Sequence, residues 1–310
     1  MINIYNDMVS NTVSSKIDYV SVICKVDSLT EFKTKNNISE LKKTLPSIWH
    51  NAKEHFKNGI LINQKQQGWW LKIQCCPASH DGHSIKISFN YQNKEALQSI
   101  ANIVNKAVSG GWALFLDEGY ITRIDFAIDF KDYKPTDFIW AVSHGYKKFS
   151  SYFNDQTGRL ETAYLGSMKS SQYVVIYDRK AANKVFEKDP LKASFNVPDY
   201  EVTRIELRLK RTKKDNILFK NIHSLTSILA SIHVLDIKFI DKQLQEPLKL
   251  MMSVGCQRHL TQKIKTASQF LPLAICKHIS NKLNSNSVNS HCKNMKSQIE
   301  ELISNNLALA

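Results

Sequence analysis

Apolar residues recur at every second position in several separate stretches of the chain, and that alternation limits the fold more than any other feature. In Tyr120–Phe130, Ile124, Phe126, Ile128 and Phe130 fall on one side, with Arg123, Asp125, Ala127 and Asp129 on the other. Ser84–Asn90 sets Ile85, Ile87 and Phe89 against Lys86, Ser88 and Asn90. Val202–Lys210 sets Ile205, Leu207 and Leu209 against Arg204, Glu206, Arg208 and Lys210. A period of two with one dry and one polar face is the signature of half-buried strands in an antiparallel sheet. Ile17–Val26 and Trp69–Cys75 read as further strands, the latter forming a hairpin with Ser84–Asn90 across the turn PASHDGH.

Helical spacing appears between these strands. Asn36–Phe56 carries Leu41, Leu45, Ile48 and Trp49, with Ser39 as its N-cap. Lys94–Val108 carries Leu97, Ile100, Ile103, Val104 and Ala107 and is stopped by Ser109-Gly110-Gly111. The resulting order, β-α-β-β-α-β, predicts an α+β fold: an antiparallel sheet with a ferredoxin-like core, helices on one face and the other face free for a substrate. Beyond it, helices are expected at Thr136–Tyr146, Lys180–Glu187 and Leu225–Val234, and strands at Glu161–Leu165 and Gln172–Tyr177 around the turn GSMKSS. From about Asp236 the alternation ends and helical stripes take over. This divides the chain into a main domain, 1–235, and a small, helical, basic C-terminal region, 236–310, with ten Lys and Arg against five Asp and Glu.

Charge indicates the partner. The chain has 42 Lys and Arg against 28 Asp and Glu, a formal +14, which points to a polyanion, nucleic acid ahead of a membrane surface. No apolar run approaches the roughly 20 residues of a membrane-spanning helix, and MINIYNDMVSNTVSS lacks the pattern of a secretion leader. Six cysteines without framework spacing suit a reducing cytoplasm, the expected location. The C-terminal Cys256, His259, Cys276, His278, His291 and Cys292 lack the tight pairs of a zinc finger.

The polar faces carry the chemistry. Arg123, Asp125 and Asp129 around a small Ala127 are an unusual choice for a solvated sheet face, which is the plain alternative. They suit a site for a hard divalent cation, Mg2+ or Mn2+. Strand rise separates Asp125 from Asp129 by ~13 Å, so a carboxylate from a neighbouring strand is the easier second ligand, and Glu206 is the obvious one. Tyr177 ends the strand SQYVVIY and is followed by Asp178-Arg179-Lys180. A tyrosine beside fixed cations can attack a phosphodiester, provided something favours its phenolate, because a free phenol has a pKa near 10. A tyrosine at a sheet rim is the bland alternative. The basic run Arg208, Lys210, Arg211, Lys213 and Lys214, with Arg123 and Arg204, would hold DNA phosphates.

Four segments, IDYVSV, TRIDFAIDF, LGSMKSSQYVVIYDRK and TRIELRLK, in this order and spacing, resemble the replication initiation factor family. These are the Rep_trans type of rolling-circle initiators and relaxases of plasmids, filamentous phages and integrative elements. The resemblance covers about Ile17 to Ile232. It implies a metal-dependent nickase that cuts one strand of origin DNA and stays attached through a 5′-phosphotyrosine. Carried over by position, Tyr177 is the nucleophile and Asp125, Glu206 and Asp129 are the acidic, metal-binding residues. Arg179 stands where the family has Lys, and Lys180 follows. The two-histidine metal motif of other rolling-circle nickases is not evident, and His80 and His83 sit in a turn. A host helicase and a second copy of the chain are further partners such a protein would take. A non-catalytic origin binder or copy-control protein on the same fold, a relaxase for conjugative transfer, and a nuclease that uses water are the competing readings.

Overall fold

The computed structural model describes residues 13–45, 55–78, 82–142, 149–186, 200–210 and 217–236, with Glu300. The chain divides into two compact units. One is Ile17–Phe126 with Leu209–Ser224 and Lys296–Ala310; the other is Met1–Lys16, Ala127–Arg208 and Leu225–Met295. Both are α+β, built on antiparallel strand pairs.

In the first unit the element order is β1 (Val13–Val26), α1 (Ser28–Thr44), β2 (Phe56–Gln64), β3 (Trp69–Pro77), β4 (His83–Tyr91), α2 (Lys94–Ala107), α3 (Gly111–Glu118) and the start of β5 (Tyr120–Lys131). The strand order is β2-β3-β4-β1-β5. The β1–β4, β3–β4 and β2–β3 pairs run antiparallel, with Val22 opposite Ile87 and Ile73 opposite both Ile87 and Ile60. The chain therefore inserts one more strand, β2, than the six-element reading holds. FKNGILINQ was hidden because Gly59 and three consecutive apolar residues obscure its alternation.

The long helix is also displaced from Asn36–Phe56. Asp27, not Ser39, caps it: Oδ1 accepts from the Thr30 N–H at 2.6 Å, and the Ser39 hydroxyl donates back to the Lys35 carbonyl at 3.0 Å. It ends at Thr44 because Leu45 precedes Pro46 and takes the extended backbone (φ −115°, ψ 140°) that a following proline imposes. Helix α2 begins at Asn93, whose side chain accepts from the Ala96 N–H at 2.9 Å, and the glycine pair Gly110-Gly111, both at positive φ, turns the chain into α3. The helices cover the apolar face of the strands: Val20, Val22, Ile73, Ile87 and Phe89 are buried beneath Ile100, Val104 and Phe115. The Phe89 and Trp112 rings lie 5.4 Å apart.

The second unit holds the end of β5, then β6 (Phe138–Val142), β7 (Phe149–Phe153), β8 (Leu160–Leu165), β9 (Gln172–Asp178), α4 (Arg179–Phe186), β10 (Val202–Lys210) and β11 (Ile232–Asp236). Its strand order is β5-β10-β9-β8-β7, with a separate antiparallel pair, β6 and β11. Two expected helices are replaced here. At Thr136–Tyr146 a single 3-10 turn, Pro135–Asp137, leads into β6, and at Leu225–Val234 a 3-10 segment, Phe219–Ser231, leads into β11. Each of these short strands is extended because the other supplies its ladder partner. The helix near Lys180 is present, one residue earlier than expected. The helical character expected for 236–310 falls outside the described residues, as do His80, Arg211, Lys213 and Lys214.

Candidate active site

Strands β9 and β10 are neighbours, and their polar faces meet on the same side of the sheet. Tyr177 is the penultimate residue of β9. The strand turns directly into α4 because the Asp178 carboxylate accepts from the Lys180 and Ala181 N–H groups, at 2.8 and 3.1 Å. This fixes Tyr177 at the rim of the sheet, half-buried. Its hydroxyl donates a short hydrogen bond to Oε1 of Glu206. Glu206 is 2% exposed, and its other oxygen, Oε2, accepts from Nε and Nη2 of Arg208 at 2.8 and 2.6 Å. Nη1 of Arg208 lies 3.4 Å from the Tyr173 hydroxyl, which it donates to. Tyr164 stands on β8, where its Cα partner is Val175, on the Tyr173–Tyr177 face. Burial raises the Tyr164 hydroxyl above its ordinary pKa, against a lowering by the Arg208 charge.

A second carboxylate lies beside this trio. Asp129, at the end of β5, accepts a two-pronged bond from Arg204, Nε to Oδ1 at 2.6 Å and Nη2 to Oδ2 at 2.7 Å. Arg179, the first residue of α4, adds a third bond to Oδ2 at 3.1 Å. Burial pushes the Asp129 carboxyl up, but the Arg204 hydrogen bonds and the charges of Arg204, Arg179 and Lys16 outweigh it and hold the group below its usual range. Arg204 also lies 3.9 Å from Oε1 of Glu206, so its guanidinium stands between the two carboxylates.

The structure thus brings Tyr177, Glu206, Arg208, Arg204, Asp129 and Arg179 into one connected network. Lys180 is exposed at the start of α4, and Lys210 closes β10 half-buried. Arg123 and Asp125, in the other unit, are hydrogen-bonded to each other. Nε donates to Oδ1 at 2.9 Å, a second short bond closes the fork, and the Arg123 guanidinium lies 4.4 Å over the Tyr19 ring. Sequence reasoning passed over Tyr173 as a partner of Arg208. Its signal was its parity with Tyr177 in QYVVIY.

The oxygen-rich donors a hard cation prefers are present, but in this arrangement they do not fit one. Around Asp129 and Glu206, three guanidinium groups face two carboxylates, and the place between the carboxylates is taken by Arg204. Among the described residues no three Asp, Glu, His or Cys side chains gather as a cation site. No helix among them is long and apolar enough to cross a membrane.

No family model matches the chain. It is similar, however, to a replication initiation protein of Staphylococcus aureus, 27% identical over 196 residues, covering 61% of this chain and 56% of the relative. A second protein of that name and species is 26% identical over 202 residues, covering 62% and 57%. The similarity is thus to proteins named as replication initiators. The chain spans a little over half the length of these curated relatives. A solved rolling circle replication initiator protein from Geobacillus stearothermophilus matches 79% of this chain and 97% of its own, at 17% identity and a TM-score of 0.41.

Proposed function

We propose that this initiator relative starts rolling-circle replication by cutting one strand of origin DNA with Tyr177. The observation that carries the reading is the Tyr177–Glu206–Arg208 chain. A phenol hydrogen-bonded to a buried carboxylate, itself locked by a guanidinium fork, is a nucleophile with its base in place. The Tyr177 oxygen attacks the scissile phosphorus while Glu206 takes the phenolic proton. The P–O3′ bond breaks, the 3′ oxygen takes a proton from water and leaves as a 3′-hydroxyl, and the 5′ phosphate stays on Tyr177. In rejoining, a 3′-hydroxyl attacks the phosphotyrosine and the bonds exchange in reverse. Lys180, exposed beside the nucleophile, is the cation for the phosphate oxygens, and Arg179 acts by fixing Asp129. No step here runs through a divalent ion, because its place between the carboxylates is filled by Arg204.

The framework of the reading is a ferredoxin-like core widened by β2 at one edge, in a protein that acts on a DNA strand in the cytoplasm. Residues 236–310 supply the choice of origin. The test is to mix the protein with end-labelled single-stranded origin DNA and look for a denaturation-resistant adduct. Wild type forms it, Tyr177→Phe does not, and a chain ending at residue 235 forms it without preferring the origin. An adduct from Tyr177→Phe would place the nucleophile elsewhere. Full origin preference in the shortened chain would remove the C-terminal role.

A further inference from the structure

We propose that the low step over Thr162, between Tyr177 and Tyr152, seats the base of an unpaired nucleotide flanking the scissile phosphate, stacked on the exposed Tyr152 ring. The inference rests on the reading of Tyr177 as the nucleophile, and supplies the substrate contact that the Tyr177–Glu206–Arg208 chain does not make.

Strand register places these residues. Tyr177 on β9 stands opposite Thr162 on β8, and Thr162 stands opposite Tyr152 on β7. The three therefore form one row across the sheet, with their side chains on the same side. Tyr164, two places along β8, shares that side, and its ring meets the Tyr152 ring edge to face, with centroids 5.8 Å apart and planes at 81°. The side is that of the proposed chemistry, because the Tyr177 hydroxyl reaches Glu206 on it. Burial affects the Tyr164 hydroxyl most, but the charges of Arg208 and Glu206 also act on it, as they would on a ring standing near them. All of these residues lie in the Ala127–Arg208 segment of one compact unit.

The row is open to solvent along its length. Tyr152 is 57% exposed, and Thr162, Tyr164 and Tyr177 are half-buried. The closed part of the face lies further along β9, at Tyr173 and Val175, which are 4% and 2% exposed. Two strand spacings, about 10 Å of sheet, separate Tyr152 from Tyr177, and only the short Thr162 side chain stands between them. An edge-to-face contact occupies at most one face of either ring, so Tyr164 props the Tyr152 ring and leaves it a face for another π system. Every base offers such a face, and stacking needs no charge and no particular sequence. A duplex does not offer one, because its bases already stack on each other. Attack by Tyr177 requires the phosphorus about 3–3.5 Å from the phenolic oxygen, and a base anchored on the far side of Thr162 holds the nucleotide that carries it.

The experiment is the anisotropy of a labelled single-stranded origin oligonucleotide in which one nucleotide at a time is made abasic. Binding is measured on the full chain carrying Tyr177→Phe, so that it is read apart from cutting, and adduct formation with Tyr177 intact is scored separately on a denaturing gel. Tyr152→Ala should weaken binding about 5- to 150-fold, the usual contribution of one stacked base. Tyr152→Phe keeps the ring and should retain most of the affinity. Tyr152→Leu is apolar without a π-face; it should lose about as much as the alanine variant, and carries the test if that variant does not fold. On the strand that lacks the stacked base, Tyr152→Ala should lose nothing further, and that position should flank the mapped cut. Unchanged affinity of the Ala and Leu variants, an equal loss whichever base is removed, or coupling only at a position away from the cut overturns the proposal. Coupling without any adduct would refute Tyr177 as the nucleophile and leave the stacking site standing, whereas an adduct without coupling refutes the stacking site alone.

Discussion

Replacing Glu206 by Gln tests the proposed chemistry most directly, because the swap keeps shape and removes only the ability to accept a proton. Glu206 is buried, with Oε2 facing the Arg208 fork at 2.6–2.8 Å and Oε1 facing the Tyr177 hydroxyl. An amide has one accepting and one donating edge. Two guanidinium N–H groups demand the accepting edge, so the NH2 group turns to Tyr177. The phenol must then accept rather than donate, and it loses its base. Removing a positioned general base typically costs 10²–10⁴-fold in rate, about 3–5 kcal/mol of barrier. Without the base only the phenolate attacks, and a phenol with an ordinary pKa near 10 gives a rate that climbs about tenfold per pH unit through neutrality. The assay is single-turnover adduct formation on labelled origin strand across pH, with urea unfolding to verify the fold. A folded Glu206→Gln protein that forms adduct within about threefold of wild type, well below the range a base supplies, refutes the reasoning. So does a pH profile that does not change.

Two further outcomes follow from the arginine–carboxylate pairs. The Asp129 carboxyl is held below its usual range by Arg204, Arg179 and Lys16. Its ionised form therefore stabilises the fold fully above the ordinary carboxylate pKa of about 3.9, and that contribution disappears as pH falls through the lower folded value. Asp129→Asn should be less stable than wild type at neutral pH and should close part of the gap below about pH 4; urea midpoints that stay equally far apart at every pH contradict this. Arg204 is 4% exposed, so Arg204→Met leaves buried carboxylates under-compensated and should cost about 3–5 kcal/mol in urea unfolding. The same variant vacates the position between Asp129 and Glu206 and should bind Mn2+ more tightly than wild type in a calorimetric titration without DNA. An unchanged affinity would mean that Arg204 does not compete with the ion.

The sequence alone determined which side chains share a face. Alternation in TRIDFAIDF, TRIELRLK and SQYVVIY separates the buried Ile, Leu and Phe from Asp125, Asp129, Arg204, Glu206, Arg208, Tyr173 and Tyr177 because a strand's side chains have a period of two whatever lies beside them. Local chemistry was equally legible where it was read in full. The glycine pair after α2 was read from the sequence, whereas its cap Asn93 was not, nor were the Asp27 and Pro46 that bound α1 at other residues than Ser39 and Phe56. Tertiary structure decided what no local rule carries. IWAV and IHVLD have apolar residues that serve a helix or a strand, and each is a strand because the other completes its hydrogen bonds. The acidic residues follow the same logic. Their residue type and parity suggested a shared cation, but a carboxylate takes the nearest complementary charge, and strand neighbourhood alone settles which charge that is. Pairing of β10 with its neighbours puts Arg204 on Asp129, and the side chain two places along β10 puts Arg208 on Glu206, leaving the second carboxylate oxygen for Tyr177.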